Sequence, residues 1–476
     1  MSKKFLFSAV ALLLSISGLS LAQTTQRLAH QSPGGCILAF QLTDGTVICQ
    51  GNSDSNWYKL TPDNTGSYIN GTWSTAASLP SGYVPDAFAS AVLADGRLVI
   101  TGGEYNSGAF ALTNLGAIYD PTKNTWTKLA APKGWTYIGD SPSVVLPNGS
   151  YLVGNKLTKS LALLNPKTLA WTVMAGTGKS DFNAEEGFTL LANGTVLTMD
   201  VKHAPNSEIF SLVAKKWTTA GSTIVDLHSP SPFGCINYGP NGSLCYYPPG
   251  EIGPAILRPD GTVFATGSYS SSTSGAGHTA IYDSNTGTWT VGPDFPNGDN
   301  AGDSFAVLLP SGNVLVEGAL SSYEWDGVNL NPTLSTPGCL LVLPTGQVLV
   351  EGSEVYNPTG TYQAAWAPTI TSVSSSVTRG STYVISGTQF NGLSQAAAFG
   401  DEYETATNYP LVRITNNSTS HVFYARTHDH STMGVATGSA TVSTSFDVPS
   451  TMETGASSLE VVANGIPSAA VSITVN

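Results

Sequence analysis

The sequence predicts an all-β chain in which a seven-bladed β-propeller is followed by a smaller β-sandwich. Three observations carry that expectation. One hairpin unit recurs seven times, each repeat continues into two further strands marked by aromatic residues, and no stretch shows helical periodicity. After residue 367 the repeat stops, and short alternating strands run to Asn476.

The first 22 residues read as a secretory signal. Lys3 and Lys4 precede an apolar stretch from Phe5 to Leu21, and Ser20-Leu21-Ala22 offers a small-x-small cleavage site. The mature chain is expected to begin near Gln23, secreted or periplasmic. No later apolar run reaches the ~20 residues that a spanning helix needs.

The propeller is expected over 23–367. Its unit is an apolar strand, a tight turn closing on glycine, and a second strand, as in VLADGRLVITGG, LRPDGTVFATG and LLPSGNVLVEG. The turn glycines are Gly45, Gly96, Gly149, Gly194, Gly261, Gly312 and Gly346. Asp-Gly or Asn-Gly between alternating apolar runs is the strongest short-range hairpin signal, because such turns need positive φ. Third strands end in Tyr119-Asp120-Pro121, Tyr282-Asp283 and Tyr356-Asn357-Pro358. Fourth strands are marked by Trp73, Trp126, Trp171, Trp217, Trp289 and Trp366, while unit six carries Tyr323 and Trp325 in its third. On this reading blade seven owns all four of its strands, and residues 24–35 have no evident role.

The tail, 368–476, enters through Ala367-Pro368-Thr369-Ile370-Thr371-Ser372-Val373. Its length and alternation fit an immunoglobulin-like sandwich. Five cysteines, Cys36, Cys49, Cys235, Cys245 and Cys339, leave at least one unpaired within the chain. Cys235 and Cys245, ten residues apart in a Gly/Pro/Asn-rich loop, are the disulfide candidate. Only 11% of residues are charged, against about 25% in an average domain. With a net charge of −13 and no Lys/Arg run after residue 4, the chain lacks the footprint of a nucleic-acid binder or of a protein held to anionic lipid.

The Gly-Gly second strand, third-strand Tyr and fourth-strand Trp together resemble the kelch repeat. A kelch-type propeller followed by an immunoglobulin-like E-set domain resembles the galactose oxidase and glyoxal oxidase group of secreted proteins. The tail string TNYPLVRITN…RTHDHSTMGVATG is similar to that of bacterial secreted kelch-repeat proteins. The resemblance implies a copper-radical site of two tyrosines, two histidines and a cysteine cross-linked to one tyrosine. Cys36 stands close to the family's cysteine position, but Ala87 stands where the partner tyrosine belongs. Gly302-Asp303 replaces the Tyr-His pair, and Arg413 replaces the tail histidine. The copper site is therefore expected to be absent, and no cofactor or metal is expected.

The tight turns share one face, so the long loops share the other, where functional residues concentrate. At the entry of first strands, five blades offer a carboxylate: Asp86, Asp140, Glu185 with Glu186 beside it, Glu251 and Asp303. Converging there, these groups could form an acidic mouth that holds cations or a polar ligand. Lys179, Asp181 and Asn183 belong to an unusually charged segment beside them, and Arg413 could act as a counter-ion. Trp135, Tyr137 and Tyr269 are adjacent candidates, and Glu104, Glu317 and Glu351 could extend the ring. Each carboxylate could equally do no more than accept backbone N–H bonds at a strand-entry turn. His428-Asp429-His430, alternating along a strand, would put both imidazoles on one face. His203 and His228 lie on the long-loop side as possible general bases, His278 precedes the third strand of blade five and could face either way, and His30 and His421 show no evident partners.

The function expected from these residues is binding of a polar extracellular ligand, a carbohydrate or polysaccharide, at the acidic mouth. The alternatives are a carbohydrate-active hydrolase or lyase on a copper-free scaffold, and a structural or protein-interaction propeller.

Overall fold

The computed structural model describes residues 24–239, 242–270, 275–333 and 338–476. The secretory signal expected over 1–22 lies outside them. The fold is all-β, a propeller followed by a β-sandwich. The seven glycine-turn hairpins become seven antiparallel sheets, six of four strands and one, blade six, of five. Blade two is typical: Ala89–Val92, Leu98–Thr101, Gly116–Asp120 and Thr125–Lys128, running from fully buried to largely exposed. Gly96 holds φ 82° and donates its N–H to Leu93. The first strands line the axis. Leu38–Gln41 touches Leu340–Val342, which touches Ala306–Leu308, which touches Ala255–Leu257.

Four of the expected fourth-strand tryptophans tie successive blades together. The indole of Trp126 donates to Ala77 O at 3.1 Å, that of Trp171 to Ala130 O at 2.7 Å, and that of Trp289 to Ala220 O at 3.1 Å. Trp73 reaches back to His30 O at 3.2 Å. Each bond takes an otherwise wasted donor to the chain that leaves the preceding blade.

Blade seven departs from the sequence reading. Its outermost strand is Thr24–Arg27, paired with Glu354–Asn357 in the register Thr24↔Asn357 to Arg27↔Glu354. Trp366 sits instead in a 3-10 turn, Ala364–Trp366, packed over Gly312. The N-terminal segment thus supplies the strand that closes the ring. Nothing in its TTQR sequence announces this, because the pairing joins opposite ends of the propeller.

The tail forms two sheets that share the strand Val422–His428. Its first half pairs with Leu411–Asn416 and its second with Val442–Asp447. Val377, Ile385, Val412, Ile414, Phe446, Leu459 and Ile473 pack between the sheets. This body caps the tight-turn face. Tyr424 lies against Gly45, Val422 N donates to Asn64 O, and Arg426 donates to Asp95 O at 2.7 Å. One tail segment also enters the propeller, where Ala397–Ala398 pairs with Ala306–Leu308 as a fifth strand of blade six.

Candidate functional site

Two buried charge clusters occupy the strand entries that the sequence singles out. Glu185 and Glu186 stand at their junction and turn into different ones. Glu185 holds φ 57°, and Ala87 (φ 50°) and Asp303 (φ 47°) do the same at matching entries. Such left-handed turns in non-glycine residues are strained and gather at functional positions.

The first cluster surrounds Lys156, whose side chain is fully buried. Its ammonium contacts Asp140 and donates to Glu185 Oε2 at 2.7 Å, while Tyr246 OH donates to Glu185 Oε1 at 2.6 Å. Burial alone would raise Glu185, but Lys156 and these hydrogen bonds outweigh it and hold the carboxyl below its ordinary value. Asp140 is pushed well up, because burial and the charge of Glu185 exceed what Lys156 returns. Glu251 and Glu104 are likewise raised by burial, and Asp303 is pushed up to about 6 by burial and by Glu185.

The tail loop completes this cluster. Asp401 and Glu402 are buried among the axial carboxylates: burial, with the charge of Glu185, raises Asp401 against a hydrogen bond from Glu402, and burial with the charge of Asp401 raises Glu402. Phe399 meets Phe305 edge-on at 4.7 Å, Phe88 meets Tyr403 at 5.2 Å, and Tyr403 OH donates to Asp86 Oδ1 at 2.7 Å. Asp140, Asp401 and Glu402 present oxygens all within 4.8 Å of one another.

In the second cluster, Lys179 Nζ lies 2.8 Å from Glu186 and Glu208, 3.2 Å from Asp181 and 3.7 Å from Asp200. The same ammonium sits 5.2 Å above the Trp217 ring. Asp200 is pushed up to about 7 by burial, with Asp181 adding to what Lys179 only partly offsets. Asp181, Asp200 and His203 form a second group with metal-ligand spacing.

Above both clusters, on the long-loop face, lies a cavity of about 280 Å³ lined by Asp181, Phe182, Lys202, His228, Tyr246 and Tyr247. Tyr247 and Phe182 expose 70% and 40% of their surface there, enough to offer ring faces to a ligand. Lys202 Nζ stands 4.7 Å over the Phe182 ring. His228 Nδ1 is held by Asp226 at 2.8 Å.

Of the expected site residues, Asp140, Glu185, Glu251 and Asp303 gather in the axial cluster, Asp86 instead accepts the hydroxyl of Tyr403, and Lys179, Asp181 and Glu186 gather in the second cluster. Asn183 faces neither. Its amide donates to Thr158 O and Ser160 O and fastens the loop to blade three. Arg413 corrects the counter-ion expectation: it pairs with Glu460 at 2.8 Å and lines a cavity with Pro310 and Gly346 on the capped face. Its strand belongs to the sandwich, and the tail reaches the axis through 397–404 instead. The histidine expectation also changes. The strand ends at His428, Asp429 turns left-handed at φ 53°, His428 bonds Asp447, and His430 is buried against Thr444. Tyr137 packs on Tyr238, Tyr269 is half exposed, and Glu317 accepts the N–H of Phe305. Sequence reasoning missed Lys156, Asp401, Glu402, Asp200 and Tyr247. A lone lysine in a chain with 19 basic residues was the one available signal.

Cysteine pairing bears on the copper chemistry that the resemblance implies. Cys36 is bonded to Cys49, and Cys235 to Cys245, leaving Cys339 free and buried. Cys36 is thereby unavailable for a thioether to tyrosine, and carboxylates occupy the axis. Cys36, so paired, and Ala87 do not supply the cross-linked cysteine and tyrosine that the resemblance implies.

No family model matches the chain, and no curated protein matches it. Among solved structures it is similar to a fungal alcohol oxidase of the AA5 family in complex with copper, at 15% identity and TM-score 0.48, over 95% of this chain and 98% of that one. It is also similar to a streptogramin B lyase, at 12% identity and TM-score 0.46, over 72% and 100%. A third likeness is to the extracellular domain of a one-component system of B. thetaiotaomicron, at 9% identity and TM-score 0.47, over 95% and 58%.

Proposed function

We propose that the chain binds a polar extracellular ligand, a carbohydrate, in the cavity bounded by Asp181, Phe182, Lys202, His228, Tyr246 and Tyr247. The observation that carries this reading is the pairing of exposed aromatic faces with fixed ionisable groups at one concave site. A sugar presents an apolar C–H face and a rim of hydroxyls, and such a cavity answers both. Two disulfides suit an oxidising compartment. The buried clusters beneath would act as rigid footing rather than as contact surface.

The test is a glycan array with the mature chain, followed by calorimetry on the binders. Tyr247→Ala and Phe182→Ala should each weaken binding by at least tenfold. If no glycan binds, or if both variants bind as tightly as the parent, the reading fails.

A second reading, a hydrolase or lyase, is favoured by the Asp226–His228 pair at the cavity rim. A carboxylate that orients one ring nitrogen leaves the other free to move a proton. Product analysis on any bound glycan separates the two readings. Turnover that disappears in His228→Gln while binding persists would select the enzyme.

A further inference from the structure

The axial cluster poses a charge problem that its protein partners do not solve. Asp140, Glu185, Glu251, Asp303, Asp401 and Glu402 crowd one buried ammonium, Lys156. Lys156 engages one oxygen of Asp140 and one of Glu185. Among the described residues, no N–H or hydroxyl group donates to the other oxygen of Asp140 or to either oxygen of Asp401, whose side-chain hydrogen bonds run to the carboxyls of Glu402 and Glu185 inside the same cluster, although Asp401 is only 5% exposed. An unpartnered buried carboxylate is costly unless protonated or bound to a cation.

We propose that Asp140, Asp401 and Glu402 hold a hard divalent cation of the calcium class on the propeller axis, and that this ion fastens the 399–404 loop of the tail to the propeller. The oxygens of these three residues lie within 4.8 Å of one another, so one ion can reach all of them. They come from two separate bodies, Asp140 from the entry to blade three and the other two from the tail. The donor set is all oxygen and acidic, which suits calcium, magnesium or manganese and not copper or zinc. Calcium is the best match, because it tolerates irregular carboxylate cages that magnesium does not. The proposal is independent of the glycan cavity.

The test uses the mature chain stripped with EDTA, dialysed against calcium chloride and assayed for bound metal by plasma mass spectrometry. One equivalent of calcium per chain is expected, with Tm rising by about 5 °C at a hundredfold excess over Kd. Asp401→Asn and Glu402→Gln should each weaken calcium binding at least tenfold. Asp200→Asn, in the other group with ligand spacing, should leave it intact. In EDTA, Asp401→Asn should melt at or above the parent temperature, because the amide relieves repulsion. Circular dichroism checks folding, and Glu402→Gln carries the test if Asp401→Asn does not fold. The proposal is overturned if the parent binds no calcium, or if binding survives both axial variants. It is equally overturned if binding disappears only in Asp200→Asn, or if Asp401→Asn melts below the parent in EDTA.

Discussion

Replacing Lys156 with methionine is the most direct probe of the axial cluster. The ammonium is fully buried against Asp140 and Glu185, and Met keeps most of the stem volume while removing the charge. Breaking a buried pair by deleting one partner costs about 3–5 kcal/mol, since the other charge stays behind unpaired. For a domain this large, about 2 °C of Tm follows each kcal/mol, so a fall of about 6–10 °C is expected at pH 7 in EDTA. The pH dependence makes the reasoning specific. Burial raises Glu185, but the Lys156 charge and its hydrogen bonds outweigh that and hold it low. A depressed carboxyl stabilises the fold above its unfolded value of about 4.3 and ceases to do so as pH falls through the folded value. Without Lys156, burial wins and Glu185 becomes a raised carboxyl, whose stabilisation is present at low pH and lost as pH rises. The difference between parent and variant should therefore be widest at pH 7 and narrow toward pH 4. Differential scanning fluorimetry across that range measures it, with Lys156→Arg as the charge-retaining control. A fall below about 2 °C, or a gap that does not change with pH, would refute the account.

Three further outcomes are expected. In EDTA the parent should lose Tm as pH rises from 5 to 8, because Asp303, raised to about 6, and Asp200, raised to about 7, bind protons in the fold that the unfolded chain has released. A flat profile, or one unchanged by Asp200→Asn with Asp303→Asn, would contradict this. Deleting residues 24–27 should leave blade seven with an unpaired edge, seen as aggregation or a large loss of Tm, and adding the segment back as a peptide should restore part of it. Copper(II) added to the oxidised chain should produce no intense visible radical band, because Cys36 is tied to Cys49; such a band would show that the disulfide does not block the chemistry.

Most of the fold was legible locally. The turn glycines need positive φ, and the apolar alternation on either side needs a half-buried strand, so seven hairpins could be placed before any tertiary contact was known. The strand-entry carboxylates Asp140, Glu185, Glu251 and Asp303 were legible for the same reason, since equivalent repeat positions must converge where the first strands meet. Which groups they meet was not. Glu185 and Glu186 are neighbours in sequence, yet the left-handed turn at Glu185 sends one to Lys156 and the other to Lys179.

What the sequence determined by itself is the repeated hairpin, the tail and the poverty of charge, all of which depend on residues a few positions apart. What only the tertiary structure decided depends on pairs hundreds of residues apart. Thr24–Arg27 closes the ring on Glu354–Asn357, and Asp401 with Glu402 enters the axis beside Asp140. Arg413, expected at the mouth, is held by Glu460 on the opposite face. Local propensity carries no information about which distant edge a four-residue strand will complete, or which loop of a second domain will fill a channel. Those choices are made by burial and by charge once the sheets have assembled.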